Sequence, residues 1–194
     1  MDKIYEAIGT VIGAAVIYVA SKKPISDWLE KRKINKFRRG IHSTEKINRI
    51  LDDLRSKYGF SRASLIDYHN GTKSYNGFSF KYASMTNEST DNVTKNIISD
   101  FQNVPCSLTA SMLVELENNK DGYILIDENY PDESTRITHK MYGVEQAWNF
   151  RIGKSLVNGC LSLVSTGNPI LLSADDILDI KAQCQKILLL KSIE

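Results

Sequence analysis

Proline is scarce in this chain and cysteine scarcer still. Four prolines and eleven glycines in 194 residues exclude a collagenous or low-complexity chain, since both need far more of either residue. Cys106, Cys160 and Cys184 form an odd, scattered set. They exclude a disulfide framework and point to a reducing compartment. His42 and His139 have no His-Glu-x-x-His or Cys-x-x-Cys partner, so neither a metal nor a cofactor is expected. A large excess of one charge is missing too, the net charge being +2. That balance hides a segregation: residues 21–40 carry +6, residues 1–20 carry −1 and the remainder −3. A mildly acidic body behind a basic collar excludes wholesale nucleic-acid binding by the body.

What is present begins with fifteen uncharged residues, Ala7 to Ser21. As a helix they cover roughly 22 Å, short of a hydrocarbon core of roughly 30 Å. Ile4 and Tyr5 extend the run, and Lys22 and Lys23 can snorkel from its other end. The run is apolar on every face and adjoins a basic block. The expectation is therefore a transmembrane anchor over 1–21, a basic juxtamembrane helix over 22–42 and a body over 43–194; a buried core helix is the alternative for the first segment. A cleaved secretory signal is not expected, because the start is not positive and Tyr18 would occupy the minus-three site of a cut after Ala20. The collar, Lys22, Lys23, Lys31, Arg32, Lys33, Lys36, Arg38 and Arg39, sets a single-pass orientation: amino terminus outside, body cytoplasmic at the plasma or inner membrane. Its charges also suit anionic headgroups. Gly9 and Gly13 form the small-xxx-small spacing that lets helices pair in lipid.

Ile25, Trp28, Leu29, Ile34, Phe37 and Ile41 give a basic amphipathic stretch. A further helix is expected from Ser43 to Tyr58, with Ile47, Ile50, Leu51 and Leu54 on one face and Gly59 as its stop. Strands are expected over 62–68 and 78–85 around a turn at His69-Asn70-Gly71. A helix over 91–101 would turn Val93, Ile97, Ile98 and Phe101 inward, and Ser107 would cap the next helix, with Leu108, Met112, Leu113 and Leu116 inward. A strand at 123–127 and a short helix stopped by Gly143 follow. Strands at 145–152 and 156–165 flank a Gly153-Lys154-Ser155 turn. Ser173 and Asp176 make a capping box for the last helix. Hairpins at both ends favour an antiparallel sheet with helices packed on it, an α+β layer architecture.

Tyr142-Gly143-Val144, the strand from Trp148 to Ile152, Gly159-Cys160-Leu161-Ser162-Leu163 and Leu172-Ser173-Ala174-Asp175-Asp176-Ile177 together resemble the GAF domain, a relative of the PAS domain. Asp67-Tyr68-His69-Asn70-Gly71 is similar to the first hairpin of membrane-attached GAF-like proteins of bacteria and their phages. The resemblance covers about residues 43 to 192. It implies a sensory or regulatory module, often dimeric, with a ligand pocket between sheet and helices. It supplies no ligand: the cyclic-nucleotide signature is absent, the cysteines lack the spacing of the methionine-sulfoxide reductases of this fold, and no chromophore-attachment motif surrounds any of them.

The ligand-site expectation comprises Asp67, His69, Tyr82, Met85, Tyr123, Trp148 and Phe150. Asp67 and His69 lie two apart on a strand end and face one side, where they could polarise a ligand, although bonding the turn is the simpler role. The aromatics and Met85 fall on strands, where core packing is simpler, and a GAF-like pocket would draw on the same residues. Cys106 at a helix start would have a lowered thiol pKa, yet no neighbour supplies a base. The chain thus reads as no enzyme but a membrane-tethered binding module for a small molecule or protein partner, expected to associate with itself as a dimer. A bacterial or phage structural protein that acts on membranes through its Gly/Ala-rich helix is the alternative.

Overall fold

The computed structural model describes the backbone of residues 2–70 and 81–192, and within them the side chains from residue 26 onward, residue 27 excepted. The expectations for Gly9, Gly13, Lys22, Lys23 and the apolar run lie outside the described side chains, as do Gly71 and residues 78–80. Among the described residues no helix is long and apolar enough to cross a membrane.

The chain divides into two units, residues 1–42 and 43–193. Helix α1 (Asp2–Tyr58) supplies the first. There Lys31, Arg32, Lys33, Lys36, Arg38 and Arg39 are exposed, as are Trp28, Leu29, Ile34, Phe37 and Ile41. The Arg32 guanidinium lies 5.4 Å from the Trp28 ring centre, a cation–π distance.

In the second unit α1 runs to Tyr58 and stops at Gly59, whose φ of 75° suits a residue without Cβ. Strands β1 (Arg62–His69), β2 (Tyr82–Thr90), β3 (Val104–Pro105), β4 (Tyr123–Ile126), β5 (Gln146–Arg151) and β6 (Cys160–Ser165) follow, with helices α2 (Ala110–Asn118), α3 (Glu133–Met141) and α4 (Ala174–Lys191). The strands form one antiparallel sheet in the order β3-β2-β1-β6-β5-β4. The expected α+β layering is present. The Ser173–Asp176 capping box is also present, with Ser173 Oγ accepting from the Asp176 amide at 3.2 Å and an Asp176 oxygen accepting from the Ser173 amide at 2.9 Å.

Three local expectations fail for physical reasons. Residues 91–101 form turns rather than a helix. The Asp91 carboxylate takes the amides of Val93 and Thr94, and Glu88 takes those of Ile97 and Ile98, so side chains capture the donors that a helix ladder would use. Val93 ends exposed and only Ile97 of that face is buried. Ser107 caps nothing: a short 3-10 turn (Cys106–Thr109) precedes α2, and neither Pro105 nor Thr109 makes a side-chain cap. The last strand starts at Cys160 rather than 156, because Gly159 has φ 98° and a Cβ there would sit 2.6 Å from Asp67 Oδ1. Only glycine fits that approach.

The sheet's two faces differ. Toward residues 43–58 of α1 and toward α4 it presents Ala63, Leu65, Leu161, Leu163, Trp148 and Phe150, packed with Leu51, Ile180 and Ile187 in one apolar core. Tyr58 Oη donates to Asp179 Oδ2 at 2.7 Å and Lys57 Nζ at 3.0 Å, tying α1 to α4. These bonds, the tyrosine's foremost, hold the Asp179 carboxyl below its ordinary range. A depressed carboxyl contributes stability above the unfolded pKa of about 3.9 and loses it as pH falls through the folded value. Asp179→Asn should therefore flatten the acid limb of a stability–pH curve below about pH 4; an unchanged limb would remove this tie from the account.

Candidate functional site

On the other face, strand register assembles a row. Ser64 of β1 sits beside Ser162 of β6, which sits beside Asn149 of β5. All three are buried. Alternate residues of a strand share a face, so Arg62, Ile66 and Tyr68 accompany Ser64, and Cys160 and Val164 accompany Ser162. These side chains line a cavity of about 70 Å³, closed by α2, α3 and the segment 97–105 through Met112, Thr138, His139, Ile97, Phe101 and Val104.

The cavity wall is mainly apolar, and Tyr68, Thr109, Thr138 and His139 add polar groups beyond that row and its rim. Ser64 Oγ and Asn149 Oδ1 are buried with no hydrogen-bond partner. The Asn149 amide reaches only Met112 Sδ, at 3.9 Å. A buried polar atom without a partner costs about 1–3 kcal/mol. Two in one cavity are therefore an arrangement that packing alone does not favour.

The rim is held by a buried ion pair. Arg62 Nε lies 2.9 Å from Glu88 Oε1, with both side chains almost wholly buried. The Arg62 fork also donates to the carbonyls of Lys95 at 2.8 Å and Tyr142 at 3.4 Å. Burial lowers the guanidinium's pKa from the ordinary arginine value, and the Glu88 charge opposes that. One residue thus ties β1, β2, the 91–101 turns and the end of α3 above the cavity.

Burial opposes the charged form of other titratable groups here. His139 Nδ1 donates to the Thr135 carbonyl at 2.8 Å, and burial lowers its pKa. Burial pushes the Cys160 thiol up to about 12. It raises Cys106 as well, as suits the simpler reading of a structural cysteine, although Cys106 opens the short 3-10 turn. Among the described residues no three His, Cys, Asp or Glu side chains gather to hold a metal.

Of the expected ligand residues, Met85 lines the cavity. Tyr123, Trp148 and Phe150 pack on the helix-covered face, Tyr123 stacked 5.5 Å from Phe150. Asp67 and His69 fall between Ile66, Tyr68 and the strand end, so the pleat turns them away. Asp67 is bound by Lys191, His69 Nε2 lies 2.7 Å from Ser84 Oγ, and the Tyr82 ring stands 6.2 Å from His69. The cavity exists where side chains are short: Ser64, Ala83, Asn149 and Ser162. The large aromatics fill the other layer, where two helices must be held off the sheet. The signal for Ser64, Ser162 and Asn149 was available as polar residues at alternate positions of otherwise apolar strands.

No family model and no curated protein matches the sequence. Solved structures do match in shape. The blue-light-absorbing form of the Thermosynechococcus elongatus PixJ GAF domain superposes with a TM-score of 0.60 at 10% identity, covering 79% of this chain and 88% of that one. The phycoerythrobilin-bound GAF domain of a cyanobacterial phytochrome gives 0.62 at 14% identity, covering 84% and 92%. A phycocyanobilin-bound GAF domain, also of a cyanobacterial phytochrome, gives 0.60 at 14%, covering 82% and 89%. The fold is GAF-like. The cavity, at about 70 Å³, is small beside pockets that enclose drug-sized ligands, which measure roughly 300–1,000 Å³.

Two predictions follow from this geometry. Glu88→Gln strands the Arg62 charge and should cost about 3–5 kcal/mol of unfolding free energy, read from denaturant midpoints; a loss under about 1 kcal/mol would show that the pair does not pin the rim. Ser64→Ala removes an unpartnered buried hydroxyl and should raise the stability of the ligand-free protein by about 1 kcal/mol. A drop of similar size would mean that the hydroxyl is already satisfied.

Proposed function

We propose that this chain is a membrane-tethered GAF-like module, bacterial or phage-encoded, that binds a small molecule in a sensory or regulatory role without catalysis. The observation that carries the reading is the row of Ser64, Ser162 and Asn149 inside a mainly apolar cavity of a GAF-like fold. Natural cores satisfy their polar groups, and a ligand supplies what the protein lacks. Binding rather than catalysis is favoured because Ser64 has no base beside it and the Cys160 thiol is held neutral.

The tether rests on the sequence. The apolar run from Ala7 to Ser21 is followed by a collar of +6, which supports an orientation with the body on the cytoplasmic side of the membrane. Exposed Trp28 and Phe37 among exposed lysines and arginines suit the headgroup layer. The Gly9 and Gly13 spacing supports pairing with a second copy.

The native cysteines are all buried, so an introduced surface thiol reports topology with little background. The full chain carrying Lys120→Cys should sediment with membranes. It should resist an impermeant thiol reagent added to intact cells and react after lysis. Labelling of intact cells would overturn the orientation, recovery from the soluble fraction would overturn the tether, and dye leakage on expression would favour a membrane-acting structural protein.

A further inference from the structure

We propose that the cavity takes a small neutral ligand whose head carries a hydrogen-bond donor and an acceptor on different atoms and whose stem is short and apolar, the chemistry of a short-chain primary amide. The inference rests on the binding-module reading and adds the ligand's class.

Size comes first. At about 70 Å³ the cavity has roughly half the ~150 Å³ of an engineered apolar cavity that binds benzene. A handful of non-hydrogen atoms fit.

Charge is excluded next. The cation at the rim, Arg62, is already charge-paired with Glu88 and donates to two carbonyls. Burial disfavours charge on His139, whose Nδ1 donates to the Thr135 carbonyl. A carboxylate or ammonium entering here would lose its hydration and meet no unspent opposite charge among the described lining residues.

The head then follows from the orphaned atoms. Asn149 Oδ1 only accepts, so it requires a donor. Ser64 Oγ can donate and requires an acceptor, and Ser162 offers a second hydroxyl between them. Neighbouring strands stand about 4.8 Å apart. A head with its N–H and its C=O on separate atoms bridges such positions, whereas an alcohol must use one oxygen for both. In an amide the NH₂ donates to Asn149 Oδ1 and the carbonyl accepts from the two serines. The stem meets Ile66, Met85, Ile97, Phe101, Met112 and Val164, none of which offers a strong hydrogen-bonding side chain.

Methionine methyl resonances provide the test, since Met85 and Met112 line the cavity while Met141 is exposed on α3. Full-length protein with ¹³C-methyl methionine is titrated with propionamide, propionate and propylammonium. The expected result is a saturable, millimolar response of Met85 and Met112 to propionamide alone, with Met141 unmoved. The double variant Ser64→Ala with Ser162→Ala, its folding checked by its own melt, should weaken that response about tenfold. Absence of saturation, an equal response to the charged analogues, or unchanged affinity in the folded double variant would each overturn the assignment. The analogue comparison stands whether or not the double variant folds. A response of Met85 and Met112 to other members of a metabolite panel, with none to propionamide, would remove the amide class and leave the binding-module reading standing. Silence toward the whole panel, as expected for a site that holds water only, would remove both.

Discussion

The Arg62–Glu88 pair decides what kind of cavity this molecule has. Burying two opposite charges gains little net stability, because desolvation offsets their attraction. What the pair supplies is position. Glu88 stands opposite Ser64 in the β1–β2 ladder and receives the amides of Ile97 and Ile98. Arg62 reaches the carbonyls of Lys95 and Tyr142. A segment that would otherwise be a mobile loop becomes a fixed wall over the sheet, and the same pairing consumes the only buried cation at the rim of the described cavity. Shape and charge of the site are set by one contact.

The sheet works as a partition. One layer is closed, with aromatic and branched side chains filling the space under residues 43–58 of α1 and under α4. The other is left slack by short polar residues at the sheet centre. Two unpartnered polar atoms remain inside it. The closed layer holds the main apolar core and the slack one holds the cavity. Likeness to the GAF domains of known structure therefore lies in the architecture.

Much of this was legible in the linear chain. Alternation and helical periodicity located β1, β4, β5 and α4, Gly59 and Gly143 marked the stops of α1 and α3, and the Ser173–Asp176 box marked the start of α4, because these are local effects of backbone geometry and short-range hydrogen bonding. Charge segregation between residues 21–40 and the body is equally a property of the sequence alone. The resemblance carried by Gly159-Cys160-Leu161-Ser162-Leu163 reached the fold without reaching the site.

Tertiary structure decided the rest. Periodicity says that Trp148 and Asn149 face opposite ways, but not which face meets the helices and which the cavity. That choice depends on register across three strands, a non-local quantity. It sent Tyr123, Trp148 and Phe150 to the closed layer and left Met85 with Ser64, Ser162 and Asn149 around the cavity. Residues 91–101 carry a helical pattern, yet Glu88 and Asp91 captured the amides that a helix would have used. Sequence determined the elements because each depends on neighbours a few residues away. Only the packed sheet determined the site, because the row from Ser64 to Asn149 joins residues 85 positions apart whose adjacency no local rule encodes.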